Sequence, residues 1–305
     1  MEKKLRALLK KEKLEHLLTL FVDQGVTDSI LGDLADGDLR ELGIEKLGER
    51  KRLLAAFSVG AAGVAARRQM VEVEGGTLPN GSELAGSKVA TFEIGVYAVT
   101  MEEWQGVRRW ALANGFEIEV GEAGSSRHPV TQVNWYDCVK WCNAKSVMEG
   151  LKPVYGVKGK EGYYSKGEFG KDGSENIVCH NGDGYRLPTE AEWEWAARGG
   201  QRSQGYAYAG SNNLNAVGWY KENSGGAAHA VGEKAANELG LFDMSGNVWE
   251  WCWDLYDPQS SAHRPRGGSW GNSAGPCTVA GRDRYYNPGS RAYRIGFRLA
   301  RSSGN

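Results

Sequence analysis

Residues 184–200 read GYRLPTEAEWEWAARGG and contain a clear start signal for a helix. Thr189 precedes Glu192 by three positions, which is the spacing of a capping box, where each side chain bonds the backbone N–H of the other residue. Small and aromatic side chains then recur at helical spacing, and we expect these to face the core: Trp193, Ala196 and Ala197. The stretch predicts a short capped helix with a structural role.

Residues 240–254 read GLFDMSGNVWEWCWD and predict a buried strand. Tryptophans at positions 249, 251 and 253 alternate, which places three large apolar side chains on one face of a strand. A buried indole needs an acceptor for its N–H, and Asn247 or Glu250 is positioned to supply one. We expect these tryptophans to belong to the core.

The chain around these two stretches mixes strands with helices. Residues 156–184 are rich in glycine and lysine, which predicts a loop or hairpin excursion at the surface. Apolar and alternating runs predict strands at 71–78, 88–100 and 128–135, and helical spacing predicts helices at 100–115 and 136–150.

Composition narrows the classes of function. The 305 residues carry a net charge of −1, which predicts no nucleic-acid partner because proteins that bind polyanions are usually basic. The five cysteines are odd in number, and Cys138 and Cys142 lack a second pair of metal ligands. We therefore expect reduced, buried thiols rather than disulfides or a metal site.

The sequence contains no membrane-span signal. No apolar run reaches roughly 18 residues, and the amphipathic amino end MEKKLRALLKKEKLEHLL does not have the pattern of a signal sequence. We expect synthesis in the cytoplasm. The final compartment stays unknown, because surface or phage-associated display can follow other routes.

Residues 1–58 predict a separate helical domain. Apolar residues recur at helical spacing from Leu14 to Phe57, and DLRELGIEKLGERKRLLAAF at 38–57 resembles a SAM domain. The resemblance implies a module that binds copies of itself or another protein, joined by a linker at 59–70 to a domain at 71–305. The residues that carry it are Leu39, Leu42, Gly43, Ile44, Leu47, Gly48, Arg50 and Leu53.

Charge on this module has two interpretations. Opposed acidic and basic faces would join copies head to tail into open chains. An ordinary solvated surface explains the same charges. The residues concerned are Asp33, Asp36 and Asp38 on the acidic side, and Lys46, Arg50, Lys51 and Arg52 on the basic side.

Residues 71–300 resemble the formylglycine-generating enzyme, or sulfatase-modifying factor, family. The two stretches described first stand in its order and spacing with RGGSW at 266–270 and IGFRLA at 295–300. The resemblance implies an α+β unit with the C-type lectin-like fold of the formylglycine-generating enzyme type, after the small all-α SAM-like domain. Residues that match the family's early strand are Phe92, Ile94, Tyr97, Val99 and Thr100.

The resemblance also implies a metal option. Members of the family bind calcium at positions that correspond here to Asp243, Ser245, Val248 and Glu250. Carboxylate and carbonyl oxygens suit Ca²⁺, but the same carboxylates would equally hold a turn. Calcium is thus a structural option, and no cofactor is required.

The enzymes of this family oxidise a cysteine of a substrate peptide with copper, held by two cysteine thiolates after the motif written here RGGSW. Asn272 stands at the first of these positions, and only Cys277 remains. Oxidase chemistry is not expected, because Cu(I) needs soft thiolate ligands. The iron-dependent sulfoxide-forming relatives have a histidine-rich helical domain, whereas the SAM-like segment has only His16.

Residues 266–298 have recognisable motifs at both ends and a middle part without a recognisable pattern. RGGSW, then Cys277, Arg282, Pro288, Arg291 and a closing IGFR resemble the variable proteins of diversity-generating retroelements. In that system, mutation at the adenines of AAC codons never yields Lys, Glu, Gln, Met or Trp. Residues 271–294 contain none of these five.

Residue types within 271–294 suit a binding surface, although an ordinary turn-rich loop is the alternative. Tyrosine brings rigid amphipathic area, and Asn, Ser and Asp bring adaptable hydrogen bonds. The predicted ligand-binding residues are Gly271, Asn272, Ser273, Gly275, Gly281, Asp283, Tyr285, Tyr286, Ser290, Ala292, Tyr293 and Arg294. The expected buried framework is Arg266, Gly267, Gly268, Ser269, Trp270, Cys277, Ile295, Gly296, Phe297 and Arg298.

The sequence thus predicts a ligand-binding protein that is not an enzyme, with a protein or another macromolecule as ligand. Two other hypotheses stay open: a divergent oxidase of the same fold, and a structural assembly protein driven by the SAM-like domain. The sequence does not predict the ligand, because residues that arise by random mutation do not form a pattern typical of one substrate.

Overall fold

A computed structural model of the chain describes residues 3–23, 36–53, 70–169, 173–257, 259–282 and 285–303. The chain divides into two compact units, Met1–Gln69 and Met70–Asn305. The linker predicted at 59–70 lies outside the described residues except for Met70. Within the described ranges, no helix is both long enough and apolar enough to cross a membrane.

The amino-terminal unit is helical where it is described. Gly43 has φ 84°, a left-handed conformation that strains other residues and that ends the third helix so that Ile44 turns into the core. The helices are α1 (Lys3–Lys11), α2 (Leu18–Asp23), α3 (Asp36–Glu41) and α4 (residues 47–53). The buried core consists of Leu5, Leu9, Leu14, Leu17, Phe21, Leu39, Ile44 and Leu53.

The predicted charged faces of this unit are only partly described. Arg50 does not belong to a basic face, because it is buried and its guanidinium donates to the carbonyls of Ile44 and Glu45 at 2.9 and 2.6 Å. Lys51 and Arg52 are exposed as expected. On the acidic side, Asp33 and the side chains of Asp36 and Asp38 lie outside the described residues.

The carboxyl-terminal unit mixes helices with short strands, as predicted. The strands are β1 (Met70–Val73), β2 (Gly76–Thr77), β3 (Lys88–Val89), β4 (Phe92–Gly95), β5 (Tyr155–Val157), β6 (Ile177–Cys179), β7 (Trp249–Trp251), β8 (Ile295–Phe297) and β9 (Ala300–Ser302). Strands β1, β4 and β9 form an antiparallel sheet in the order β1-β4-β9, and β7 pairs in parallel with β8. The helices are α5 (Met101–Ala113), α6 (Trp135–Met148), α7 (Glu190–Ala197) and α8 (Leu214–Val217).

Side-chain caps fix where the main helices begin. The predicted capping box is present at α7, where Thr189 accepts from the Glu192 N–H at 3.1 Å and Glu192 accepts from the Thr189 N–H at 2.8 Å. Thr100 and Asn134 cap α5 and α6 in the same position. The strand predicted at 128–135 is wrong: only isolated bridges form there, because Gln132 takes a φ of 56° that interrupts an extended strand.

Tryptophans fill the core, with partners that differ from the prediction. Trp249 and Trp251 are buried in β7, whereas Trp253 is partly exposed. The Trp251 N–H donates to the Val133 carbonyl at 3.1 Å. Glu250 of β7 does accept an indole N–H, but the donor is Trp193 of α7, at 2.7 Å. This bond joins two elements that are distant in sequence and does not satisfy a tryptophan of β7.

Candidate functional site

Arg266 anchors the start of the predicted variable segment. It is fully buried and donates to Glu190 and Glu194 of α7 at 3.1 and 2.9 Å. Gly268 then turns the chain at φ 74°, and a Cβ there would lie 2.5 Å from the Cys277 sulfur. The glycines of RGGSW are therefore required by a close approach to the core.

Two arginines hold the middle of the segment. Arg282 donates to Glu190 at 2.8 Å and to Glu83 at 2.6 Å. Arg291 forms ion pairs with Asp137, whose carboxylate is fully buried, and with Glu168 at 3.1 Å. Both arginine side chains therefore tie the backbone of the segment to neighbouring parts of the fold.

The end of the segment enters the core through β8. Ile295 and Phe297 are buried beside β7, and Arg298 pairs with Glu250 while donating to carbonyls of Gly95 and Val96 at 2.7 and 2.8 Å. Charge-assisted hydrogen bonds of this kind are stronger than neutral ones. The segment is thus fixed at both ends and at two arginines between them.

Trp270 departs from the predicted framework. Every other framework residue is buried, but Trp270 is only half-buried. Its N–H lies 3.4 Å from the Tyr293 carbonyl, and the Arg294 guanidinium lies 5.2 Å from its ring centroid. Trp270 therefore packs against two predicted binding residues and forms part of their surface.

The predicted binding residues divide by exposure. Tyr285 and Tyr293 expose 58% and 65% of their surface, far more than is usual for tyrosine. The exposed residues are Ser273, Gly275, Tyr285, Tyr293 and Arg294. The half-buried residues are Gly271, Gly281, Tyr286, Ser290 and Ala292. Asn272 is buried, and Asp283 lies outside the described residues.

Asn272 is a structural residue in this arrangement. It exposes 7% of its surface, and its side-chain oxygen accepts from the Ser269 hydroxyl at 2.6 Å. Its carbonyl accepts from the Lys221 N–H at 2.9 Å. Asn272 is therefore buried with both oxygens already engaged, and its role as a ligand-binding residue stays a prediction.

Trp270 and Tyr293 line a cavity of about 360 Å³. The rest of its wall comes from segments that are distant in sequence, so their position at this cavity was not predicted from the sequence. The glycine-rich run before His229 is a local sequence feature that points to one of these segments. Burial is the main cause that lowers the pKa of His128 in this wall. The other lining residues are Glu122, Ala123, Gly124, His128, Pro129, Thr131, Gly226, Ala227 and Ala228.

The adjacent residues Tyr285 and Tyr286 contact different neighbours. Tyr285 stacks on Tyr256 with ring centroids 4.4 Å apart, and the Arg264 guanidinium lies 4.3 Å from the Tyr256 ring. Tyr286 exchanges two backbone hydrogen bonds of 2.9 Å with His263 and is half-buried. Tyr285 therefore offers a second aromatic contact area, while the backbone of Tyr286 fixes the segment to His263 through an isolated bridge.

The thiols do not form a copper site of the family's type. Cys277 is fully buried, and burial raises its pKa to about 12, so the sulfur is a protonated thiol at neutral pH. All five cysteines are free, and four of them are buried, as predicted. The described part of the chain contains no group of three or more His, Cys, Asp or Glu that is able to hold a metal ion.

Glu250 and Ser245, two of the four predicted calcium ligands, do not fit Ca²⁺ as they are arranged. Both carboxylate oxygens of Glu250 accept from Arg298, at 2.8 and 2.9 Å. The Ser245 hydroxyl accepts from the Ala209 N–H at 3.0 Å. Asp243 accepts from the Gly232 N–H at 2.8 Å through one carboxylate oxygen, while its other oxygen is buried without a hydrogen-bond partner.

Two family models match the chain. The Sulfatase-modifying factor enzyme 1-like domain matches residues 58–303, and the SAM domain (Sterile alpha motif) matches residues 3–59. Chaperone protein LppX of Paenibacillus barcinonensis is 36% identical over 240 residues, which cover 69% of this chain and 81% of that protein. The two resemblances inferred from the sequence are confirmed.

Solved structures share the fold. The crystal structure of CarF matches with a TM-score of 0.70 at 31% identity, and Treponema denticola variable protein 1 matches with a TM-score of 0.62 at 33% identity. Each covers 77% of this chain, and the matches cover 98% and 94% of the two proteins respectively. They confirm the predicted C-type lectin-like fold.

Relatives that match over a shorter length include one that is named as an inactive enzyme and one that is named as an enzyme. Inactive C-alpha-formylglycine-generating enzyme 2 of Mus musculus is 36% identical over 136 residues, or 40% of this chain and 44% of that protein. Formylglycine-generating enzyme of Streptomyces coelicolor is 36% identical over 110 residues, or 32% and 34%. Membership of the family alone does not decide activity.

Proposed function

The chain belongs to the sulfatase-modifying factor enzyme 1-like family, and we propose that within it this protein binds a ligand and does not act as an oxidase. The observation that carries the proposal is the division within residues 271–294. Arg282 and Arg291 hold the backbone through ion pairs, whereas Tyr285 and Tyr293 are exposed. Such a frame tolerates exchange of the exposed side chains, since exposed substitutions usually change stability little.

The thiol arrangement supports the absence of oxidase chemistry. Cu(I) bound by paired thiolates requires two deprotonated sulfurs within reach of one ion. Cys277 is a single thiol at this place, because Asn272, at the position of the first cysteine, supplies no sulfur and accepts from the Ser269 hydroxyl. Loss of copper binding leaves the scaffold without its redox centre but with an intact surface.

The exposed side chains favour a protein or another macromolecule as ligand. Trp270 and Tyr293 line the 360 Å³ cavity, and the Arg294 guanidinium lies 5.2 Å from the Trp270 ring centroid. Tyr285 offers a further ring. Tryptophan, tyrosine and arginine supply most of the free energy in protein interfaces. A ligand with a protruding side chain would fill the cavity and contact the exposed rings around it.

We propose further that a retroelement diversifies this surface. The support is compositional: residues 271–294 contain none of the five residue types that adenine mutation of AAC codons does not reach. The test is to sequence the DNA beside the gene. We expect a near-copy of the 3′ coding end that differs at adenines, next to a reverse transcriptase gene. A locus without such a copy would refute diversification and leave ligand binding to be tested by itself.

The SAM domain gives the chain a second binding module, and we propose self-association or a protein partner as its role. The support is the family match at residues 3–59 together with the exposed side chains of Leu47, Lys51 and Arg52 on α4. Self-association through the SAM domain would present several copies of the lectin-like surface at once, which increases the apparent affinity for the ligand.

A further inference from the structure

A second cavity, of about 390 Å³, lies in the carboxyl-terminal unit and has no role in the proposed function. Its volume is within the range of small-molecule sites, about 300–1,000 Å³. None of its lining residues belongs to the segment 271–294. They are Trp135, Ser174, Ile177, Trp253, Asp254, Leu255 and His263.

His263 presents an unused hydrogen-bond acceptor in the wall of this cavity. The residue exposes 1% of its surface, and its Nδ1 lies 3.1 Å from the Asp254 carbonyl oxygen. Because a carbonyl only accepts, Nδ1 must carry the proton, and Nε2 keeps its lone pair. Nε2 is buried and has no hydrogen-bond partner. Buried polar atoms without a partner are rare and call for an explanation such as a water or a ligand.

The other walls combine flat aromatic faces with a carboxylate. The His263 ring stacks on Trp135 at 4.2 Å between centroids, and Trp135 lies 5.2 Å from Trp253. Asp254 adds a carboxylate, which is held in place because it accepts from the Glu190 N–H at 2.5 Å.

We propose that this cavity binds a small organic ammonium ion. The apolar part of the ligand lies against Trp253 and Leu255, the half-buried apolar residues of the wall, an ammonium N–H donates to Nε2 of His263, and the Asp254 carboxylate balances the charge. The site requires both a positive charge and an N–H donor, because a neutral ligand leaves the carboxylate unmatched and a quaternary ammonium leaves Nε2 unpaired.

The test uses the full chain and benzylammonium chloride in isothermal titration calorimetry. We expect one binding site per chain. Benzyl alcohol, which lacks the charge, and benzyltrimethylammonium, which lacks N–H donors, should each bind at least about tenfold more weakly. Equal affinity for the three compounds, or no heat from benzylammonium at about 10 mM, would overturn the proposal.

Variants then locate the binding. His263→Phe keeps a ring against Trp135 but removes the acceptor, and it should weaken benzylammonium binding about tenfold. Tyr293→Ala, in the other cavity, is the matched control and should leave binding unchanged. If His263→Phe does not fold, Ile177→Trp fills the cavity from its wall and should abolish binding. Undiminished affinity in the folded variants would place the ligand elsewhere and overturn the assignment.

Discussion

Glu250 and Arg298 form a fully buried ion pair that joins two distant motifs of the chain. The Arg298 guanidinium donates to both carboxylate oxygens, at 2.8 and 2.9 Å, and neither side chain exposes more than 1% of its surface. The motifs GNVWEW and IGFR are therefore two halves of one structural unit. The same pair explains why Glu250 is not available as a metal ligand.

Breaking this pair should destabilise the carboxyl-terminal unit strongly. Arg298→Met leaves the Glu250 charge buried without its partner, so we expect the free energy of unfolding to fall by about 3–5 kcal/mol. Arg301→Met is the matched control, because the Arg301–Glu93 pair is partly exposed and should contribute at most about 1 kcal/mol. Urea unfolding followed by circular dichroism measures both, and equal effects would contradict the assigned role.

Calcium should not stabilise the protein through the four predicted ligands. A ligand that binds only the folded state raises the melting temperature. Because Glu250 is occupied by Arg298, we expect equal melting temperatures in millimolar CaCl₂ and in EDTA. A clear rise in CaCl₂ that disappears in Asp243→Ala would show that these residues rearrange to bind the ion.

Asp243 should make stability fall as the pH rises. Burial raises its folded-state pKa from 3.8 to about 6, so the folded protein holds a proton that the unfolded chain has lost. Stability from this residue is full below pH 3.8 and declines until about pH 6, by roughly 3 kcal/mol in all. Asp243→Asn removes the charge and keeps an acceptor for the Gly232 N–H. Its melting temperature should exceed that of the wild type at pH 7.5 but not at pH 4, and parallel pH profiles would contradict this.

Arg291 and Arg294 stand three positions apart in the segment but should respond differently to the same change. Arg291→Gln removes the guanidinium that pairs with the buried Asp137 carboxylate, which keeps Lys140 at 3.5 Å, and should destabilise the protein by about 1–3 kcal/mol. Arg294 is exposed, and Arg294→Gln should alter stability by no more than about 0.5 kcal/mol. Thermal melts of the two variants compare them. If Arg294→Gln lowers the melting temperature more than Arg291→Gln does, the assignment of Arg291 as an anchor and Arg294 as an exposed contact residue is wrong.

The sequence predicts features that depend on neighbouring residues and misses those that depend on distant ones. The capping box of α7 is local, and it is present. The anchoring roles of Arg282 and Arg291 are not readable, because their partners Glu190 and Asp137 lie 92 and 154 positions away. The exposure of Trp270 is missed for the same reason, since the wall it shares is built from residues 122–131 and 226–228.

The SAM domain should govern the assembly state. We expect light scattering to show oligomers of the full chain and monomers of residues 70–305, or the full chain to capture a partner that the shorter chain does not capture. Because the exposed Lys51 and Arg52 provide an electrostatic contribution, the association should weaken as salt rises. If each chain has the mass of its own monomer and neither captures a partner, the SAM domain does not drive association.

The most direct test of the ligand-binding account randomises two matched sets of five positions in the full chain and measures the fraction of protease-resistant, folded variants in each. The first set is Ser273, Gly275, Tyr285, Tyr293 and Arg294, and the second is Arg266, Ser269, Cys277, Arg282 and Arg291. The account predicts that most variants of the exposed set fold and that few of the anchored set do. A folded fraction as low in the exposed set as in the anchored set would contradict it.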